Sequence, residues 1–423
     1  MKRHHRYTLG AFLLAVALSP FGALTSLAEQ RPTPADLPPS ELARQSIDQD
    51  PAVVEARGAL SAAGHGAAAL RAGSYEWTTR LSAQRRHYDG SGNSNEWSAA
   101  LERTIRIGGK AEIDAELGDN DLAIGRARLG EARREAARAL ADLWLDLLAT
   151  SRQRELWAEQ LSFAQSSHHA VEKRCKAGDA STLDLNVASA DLIEVQRQSS
   201  AAATAEAKAK AKARLAVRFP NLKYTPLPLT EPSALDMEFP QWRERILAQN
   251  DPIRAAEGLL KKAELSAARA KADRIPDPTV GVYTASEAFH NERIVGLSVS
   301  IPFSGDYRSE RTAQALQDTE AACANVERQE HSEVASIVEV FVDARVGHER
   351  WRLATQGLST TRDSARLTQR AYTLGEADLQ TLLLARRQAL DASTASGQVN
   401  VDVLRSQYRL LVDAHLIWQL EQD

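Results

Sequence analysis

The chain is poor in aromatic residues and cysteine for its length, and alanine is the commonest of its apolar residues. It has 423 residues, of which 5% are aromatic and two are cysteines. Because one compact core of this size needs many large apolar side chains, the composition favours elongated, closely packed helices. Cys175 and Cys323 fall near opposite ends of predicted long helices, so we expect no disulfide between them.

The sequence also lacks the motifs of common catalytic and nucleotide-binding sites. It has no Walker phosphate loop and no CxxC pair, and His348 has no second histidine at metalloprotease spacing. His168 and His169 are adjacent, so on a helix they diverge by about 100° and cannot chelate one ion together. The formal net charge of -4 argues against a nucleic-acid partner. We therefore predict no enzyme activity, no cofactor and no resident metal site.

Long hydrophobic runs are absent except at the N-terminus. Residues 1–28 have a basic start, an apolar run over 9–18 and small residues suited to cleavage before Glu29. This pattern predicts a secretory signal peptide, followed by an N-terminal linker at 29–39. A membrane anchor is the alternative, but a spanning helix needs about 20 apolar residues and this run is shorter. If the mature chain enters a membrane, we expect it to do so as strands.

Three segments of the first half recur in the second half, in the same order and at nearly the same spacing. The segment that begins at Asn250, for example, resembles the one that begins at Gln49. This self-similarity indicates an internal duplication. We place the first repeat at 40–225, a Pro-rich connector at 226–239 and the second repeat at 240–423.

Each repeat is predicted to contain a helix, two strands, a very long helix, a glycine-marked break and another long helix. Alternating side chains predict strands at about 74–88, 95–107, 278–287 and 293–303. The larger apolar residues on one face of these strands are Trp77, Leu81, Trp97, Leu101, Val295, Leu297, Val299 and Ile301. Gly296, Ser298 and Ser300 fall on the opposite face, and Arg103 interrupts the apolar face.

An apolar outer face and a polar inner face are typical of an outer-membrane barrel rather than of a soluble sheet. Four strands cannot close into a barrel, and open edges would leave backbone groups unpaired in lipid. Two copies would give eight strands with a filled lumen, whereas three would give twelve strands around water. The small polar-face residues favour three copies. We predict that the apolar set faces lipid and that Gly296, Ser298 and Ser300 face the lumen.

Two very long segments have the composition of uninterrupted helices. The ranges from about 110 to 169 and from about 309 to 372 contain no proline and are rich in helix-forming residues. Each would form a helix roughly 90 Å long, which must pack against neighbours. Apolar residues at heptad spacing over 401–418 predict a coiled-coil seam. The helices would therefore continue the barrel as a tube.

The duplication, the two hairpins, the long helices and the segments KAGDASTLDL and TLGEADLQTL together resemble the TolC-type outer-membrane factor family. RIPDPTVGV followed by RIVGLSVSIPF is most similar to the CzcC branch of that family, which serves heavy-metal cation efflux. The resemblance implies a mainly α fold with a small membrane β-barrel portion. Such a fold is a TolC-like trimeric α/β-barrel duct of two repeats, each with a β-hairpin and a long coiled-coil helical hairpin.

The resemblance also implies a location, partners and a cargo. A homotrimer would contact outer-membrane lipid and extend a helical portion into the periplasm, where it would bind a periplasmic adaptor and an inner-membrane RND pump. The passive duct would export heavy-metal cations such as cobalt, zinc, cadmium or nickel. Export of drugs or other small molecules is the alternative. A secreted coiled-coil scaffold leaves the strands unexplained, and a passive porin leaves the helices unexplained.

The family's periplasmic tip implies roles for four residues of this chain. Gly178 and Gly375 mark the reversals between long helices, where positive φ is needed. Tyr372 precedes Gly375 by three residues, and Asp184 follows Gly178 by six. In the family, a tyrosine and an aspartate at these positions form a hydrogen bond that helps to close the tip. The resemblance therefore implies that these four residues form the gate and contact the adaptor.

Overall fold

The computed structural model describes residues 32–217, 229–303, 305–418 and 420. Helices account for most of these residues, and the strands among them form one four-stranded antiparallel sheet. The predicted signal peptide at 1–28 lies outside the described residues, as do the first residues of the predicted connector.

The order of elements in the first half recurs in the second. The first half contains α1 (Ser40–Asp48), α2 (Pro51–Ala72), β1 (Thr78–Tyr88), β2 (Gly92–Thr104), α3 (Lys110–Ala177) and α4 (Thr182–Val217). The second half contains α5 (Phe239–Ala248), α6 (Asp251–Ala272), β3 (Thr279–Glu287), β4 (Glu292–Ser300), α7 (Asp306–Leu374) and α8 (Leu379–Asp413). Two helices, two strands and two helices thus occur twice, which confirms the internal repeat.

Equivalent helices of the two repeats begin and end through similar local chemistry. Asp50 accepts a hydrogen bond from the Ala52 backbone at the start of α2, Asn250 accepts one from the Ile253 backbone at the start of α6, and each helix has a proline in its first turn. The long helices α3 and α7 end at Gly178 and Gly375, whose φ angles are 84° and 79°. Only glycine adopts this left-handed conformation without steric penalty, so both reversals depend on these two residues.

The two longest helices give the molecule most of its length. The 68 residues of α3 and the 69 residues of α7 correspond to about 100 Å each at the rise of an α-helix. Cys175 lies near the end of α3 and Cys323 lies in the first part of α7, and both cysteines are free.

The hydrophobic core lies near the middle of the long helices. One cluster joins α1, α3 and α8 and includes Leu145, Leu404 and Trp418. A second cluster joins α5, α7 and the end of α8 through Trp242 and Phe341. Away from these clusters, α7 buries few of its residues. A single protomer therefore leaves long stretches of helix surface uncovered.

A buried polar network ties three distant segments together beside this core. The Asp36 carboxylate is fully buried and accepts hydrogen bonds from the Thr230 backbone and hydroxyl and from the Tyr408 hydroxyl, at 3.0, 2.8 and 2.5 Å. Burial raises the pKa of the Tyr408 phenol, and the hydrogen bond to Asp36 raises it further. The network holds the N-terminal segment against the end of α8 by contacts that need a neutral phenol.

The strands differ from their predicted limits, mostly where the chain meets the helices. Trp77 precedes β1 and Ile301 follows β4, although both were predicted within strands, and β2 begins at Gly92 rather than at residue 95. Pro302 has no N–H for a further ladder bond, which explains the end of β4. Beyond β2, the Arg106 side chain donates to the Leu70 and Arg71 carbonyls at the end of α2, so the chain leaves the sheet there.

Within the described residues, no helix has an apolar stretch long enough to cross a bilayer.

Candidate functional site

One face of the four-stranded sheet is apolar and uncovered. The strands pair in the order β1-β2-β3-β4, and their register aligns Leu101 with Val282 and Val282 with Leu297. Leu297 is 81% exposed and Val295 is 84% exposed. The other predicted lipid-facing residues are also exposed, namely Trp77, Leu81, Trp97, Leu101, Val299 and Ile301. A continuous apolar surface of this kind requires lipid or protein to cover it.

The opposite face is polar, and its side chains bond to one another across the strands. The Ser82 and Ser98 hydroxyls lie 2.7 Å apart, and the Thr104 and Thr279 hydroxyls 2.8 Å apart. The register aligns Glu102 with Gly281 and Gly281 with Ser298. Ser300 lies on the same face, opposite Thr279. The residues predicted to line a lumen therefore share one face, on the side away from the apolar set.

Gly296 lies directly beneath an aromatic ring of the neighbouring strand. It pairs with Tyr283, and a Cβ atom added at residue 296 would lie only 2.5 Å from the Tyr283 ring. The glycine is needed because the aromatic ring lies directly over it. Tyr283 therefore covers Gly296 on the polar face, and the lumen-facing position of Gly296 stays a prediction.

The sheet has two open edges. Among the described residues, β1 pairs only with β2, and β4 pairs only with β3. The outer N–H and C=O groups of these strands can pair with another chain, which is the usual hazard of an edge strand. One protomer therefore presents both halves of a potential strand-to-strand contact.

Arg103, which interrupts the apolar face, packs against an aromatic ring. Its guanidinium carbon lies 5.5 Å from the centre of the Trp77 ring, and its Nε donates to the Tyr75 carbonyl at 3.3 Å. This arrangement allows the guanidinium to remain at the edge of the apolar surface, next to the helices. Aromatic and basic residues together are typical of the boundary between a membrane and water.

A buried ion pair joins the sheet to the helices. Lys110, at the start of α3, is 1% exposed, and its Nζ donates to Asp277 Oδ1 and to the Ile275 carbonyl, both at 2.7 Å. Asp277 also accepts from the Ile107 backbone at 3.0 Å and from the Tyr75 hydroxyl at 3.1 Å. Burial alone raises the pKa of Asp277, but these hydrogen bonds outweigh it and leave the pKa below its usual value. The pair fixes the direction in which α3 leaves the sheet.

At the opposite end of the long helices, the structure gives the two predicted gate residues different partners. The Tyr372 hydroxyl accepts a hydrogen bond from Arg174 at 3.1 Å. The Asp184 carboxylate accepts from the Ser181 backbone and hydroxyl, while the Ser181 hydroxyl accepts from the Asp184 backbone. This reciprocal capping box occupies Asp184 at the start of α4. The predicted Tyr372–Asp184 bond is therefore not formed within the described protomer.

The two tip glycines are uncovered. No atom lies within 4 Å of a Cβ built at Gly178 or at Gly375. Both reversals thus present backbone to the surroundings. The roles of Gly178, Asp184, Tyr372 and Gly375 in a gate and in adaptor contact stay predictions.

The described residues contain no cluster of three or more His, Cys, Asp or Glu side chains placed to hold a metal ion. His168 Nε2 lies 3.1 Å from the Ser189 hydroxyl, whereas His169 Nδ1 lies 3.8 Å from Glu172 Oε2. The two imidazoles thus have separate neighbours.

No protein-family model matches the chain, and no curated protein matches its sequence. Solved structures do resemble it. The outer-membrane channel OprN is 20% identical, with 90% of each chain covered and a TM-score of 0.78. CusC, a protein that forms a transmembrane channel, is 15% identical, with 88% of this chain and 91% of that chain covered and a TM-score of 0.75. The outer membrane protein VceC from Vibrio cholerae is 16% identical, with 88% and 95% covered and a TM-score of 0.73.

At these sequence identities, the likeness shows the fold. The chain has the mainly helical fold with a small antiparallel sheet that these outer-membrane channels share, as the sequence predicted. The assignment to the CzcC branch stays a prediction.

Proposed function

We propose that this chain forms the outer-membrane duct of a tripartite efflux system, in which three copies complete one channel. The observation that carries the proposal is the four-stranded sheet, which has two open edges, one uncovered apolar face and one polar face. In a single protomer, the outer backbone groups of β1 and β4 have no strand partner among the described residues, and the apolar face is uncovered. Closure with further copies in a membrane would satisfy both.

The number of copies follows from the requirement for a wet lumen. Two copies would make an eight-stranded barrel, which side chains fill, whereas three would make a twelve-stranded barrel that holds water. The Tyr283 ring and the ion pair of Arg80 and Glu102 occupy part of the polar face. An eight-stranded barrel would therefore have even less room for water and solute. The apolar set from Trp77 to Ile301 would then face lipid, and Gly296, Ser298 and Ser300 would face the lumen.

The helices would extend this barrel through the periplasm. At about 100 Å, α3 and α7 are far longer than a soluble sheet needs for support, and their uncovered surfaces suit packing against neighbouring copies. A periplasmic adaptor and an inner-membrane pump would bind at the tips, near Gly178 and Gly375. The chain itself would perform no chemistry, and solute would move through the lumen down its gradient.

Closure of the tip at rest would depend on weak polar contacts. The Arg174–Tyr372 hydrogen bond joins the end of α3 to the end of α7 and lies at the surface. Such a bond is worth about 1 kcal/mol, so an adaptor could replace it with contacts of its own. We propose that Gly178, Asp184, Tyr372 and Gly375 form the gate, with Arg174 as the partner of Tyr372 within the protomer.

We propose heavy-metal cations, such as cobalt, zinc, cadmium or nickel, as the cargo. The support is the similarity of the segments around Asp277 and Val299 to the CzcC branch. Export of drugs or other small molecules is the second candidate, because a duct needs no recognition site for its cargo and the partners can select it.

Deletion of the gene in its native host tests the function and the cargo together. We expect sensitivity to zinc, cobalt, cadmium or nickel, restored by the intact gene, with unchanged tolerance of dyes and detergents. Sensitivity to dyes and detergents alone would assign the duct to the second candidate. Unchanged tolerance of both, in a strain without a second outer-membrane duct, would reject an efflux role.

A further inference from the structure

The two hairpin connections lie at the end of the sheet farthest from the long helices, because α2 leads into β1 and β2 leads into α3. The connection between β1 and β2 is a short turn at Asp89, whose side chain is fully exposed. The connection between β3 and β4 is a three-residue turn, Ala288–His290, which we call the outer turn.

The outer turn has an unusual backbone conformation. Its residues Ala288, Phe289 and His290 have φ angles of 46°, 56° and 68°. Residues other than glycine rarely adopt this left-handed region, and they keep it only where surrounding contacts impose it. Three such residues in succession therefore indicate a turn that other parts of the protein hold in place.

The acceptors for the backbone N–H groups of the outer turn come from β2. The Ala288 backbone donates to Glu96 Oε1 at 3.2 Å, and the Phe289 backbone donates to the Ser94 hydroxyl at 2.8 Å. Glu96 Oε1 also accepts from the Tyr88 hydroxyl at 2.9 Å, and the Tyr88 and Phe289 ring centres are 5.3 Å apart. Two side chains of β2 and one aromatic ring of β1 thus fix the turn.

The same contacts show which face of the sheet the turn covers. Ser94 and Glu96 are 2% and 3% exposed, whereas the other residues of β1 and β2 are exposed or half-buried. Side chains alternate along a strand, so these two residues share the polar face with Ser98 and Glu102. The register places Ser298 on that face as well. The backbone of Ala288 and Phe289 therefore folds back over the polar face, whereas the His290 ring contacts Ser286, which shares the other face with Trp97.

We propose that the outer turn lies inside the mouth of the assembled barrel and sets the size of solute that leaves it. Phe289 would limit that size, because its side chain is 41% exposed on the turn, and Glu96 would position the turn. The inference rests on the proposed function, because it requires the sheet to close with its polar face inward. Three copies would bring three Phe289 side chains to one exit.

Thiol labelling of full-length trimers in detergent tests the position of the turn. Cys175→Ser and Cys323→Ser remove the native thiols, and Phe289→Cys is then compared with Asp89→Cys as the matched outer control. We expect N-ethylmaleimide to label both sites, whereas a maleimide on a long polyethylene glycol chain labels residue 289 about tenfold more slowly than residue 89, as for a site within a pore. Equal rates with the long reagent would overturn the proposal.

Conductance in planar bilayers gives a second readout that retains the native thiols. We expect Phe289→Ala to raise single-channel conductance and to admit larger polyethylene glycols, whereas Phe303→Ala, at a fully exposed phenylalanine beyond the far end of β4, leaves both unchanged. Glu96→Ala should reproduce the effect of Phe289→Ala, and Glu96→Gln, which keeps an oxygen acceptor for Ala288, should restore the parent values. Identical size limits in all four variants would overturn the role of the turn.

These experiments distinguish a failure of the proposed channel from a failure of the proposed position of the outer turn. If the parent protein forms neither trimers nor channels, the proposed function fails and the position of the turn fails with it. If the parent trimer conducts but residues 289 and 89 react equally, only the proposal on the outer turn is rejected.

Discussion

The buried pair of Lys110 and Asp277 makes a quantitative prediction about the junction between sheet and helices. Asp277→Ala removes the acceptor of three hydrogen bonds and leaves the Lys110 ammonium, which is 1% exposed, next to only the Ile275 carbonyl and the more distant Asp273. Removal of one partner from a buried ion pair typically costs about 3–5 kcal/mol. We expect a loss of that size in the free energy of unfolding.

Denaturant unfolding in detergent micelles, followed by circular dichroism and by loss of the oligomer on gels, measures this loss. The control is Asp119→Ala, because Asp119 pairs with Arg71 at the surface and its side chain is 62% exposed. An exposed pair is worth at most about 1 kcal/mol. The double variant Lys110→Met with Asp277→Ala should recover much of the stability, because it leaves no unpaired buried charge. Equal losses for Asp277→Ala and Asp119→Ala would refute the reasoning.

The same pair predicts a dependence on pH. The pKa of Asp277 is lower in the folded protein than in the unfolded chain, so its contribution is present above the ordinary carboxyl pKa of about 4. The contribution is lost as pH falls through the folded pKa. We therefore expect the difference in stability between the parent and Asp277→Ala to shrink below about pH 4.

Three further predictions concern the face, the core and the tip. Leu297→Arg, on the apolar face, should destabilise the folded barrel in lipid vesicles by about 2–4 kcal/mol. Ser298→Arg, on the other face, should have little effect. Equal losses of stability for the two variants would contradict the assignment of faces. Tyr408→Phe should lower the free energy of unfolding by about 1.5–3 kcal/mol, as measured by thermal unfolding. The parent should lose stability as pH rises above about 10, because the buried phenol must then ionise on unfolding, and Tyr408→Phe should show a smaller loss. Tyr372→Phe and Arg174→Ala should each raise the resting conductance in planar bilayers, and unchanged values would remove this contact from the gate.

The features that recur along the chain could be predicted from the sequence. Alternation from Arg293 to Phe303 predicted a strand because side chains on a strand point to opposite faces with a period of two. The absence of proline predicted the long helices, and the tip glycines predicted their ends. Each of these signals is local, so it does not depend on knowledge of the tertiary contacts.

The contacts that hold the site together could not be predicted, because they join residues far apart in sequence. Lys110 and Asp277 are in different repeats, and nothing near either residue shows that both are buried. The partner of Arg103 is the ring of Trp77, which the period-of-two pattern assigned only to a face. At the tip, Tyr372 could pair with Asp184 or with Arg174, and the sequence does not distinguish the two. In the structure it pairs with Arg174, while Asp184 forms a capping box with Ser181.

The outer turn shows the same limit. The polar residues around His290 and Asn291 predict a turn between β3 and β4, but Ala-Phe-His contains no glycine to favour positive φ, so the left-handed conformation could not be predicted. The conformation depends on acceptors supplied by Glu96 and Ser94, which belong to the other repeat. Only the tertiary structure shows that β2 holds the turn that joins β3 to β4.

The mass of the assembled protein tests the central claim most directly. Native mass spectrometry of the protein, released from detergent micelles, reports how many copies form one particle. A four-stranded sheet with both edges open predicts three chains, which together supply twelve strands. A stable single chain that retains this sheet and stays dissolved in the absence of detergent would contradict the account.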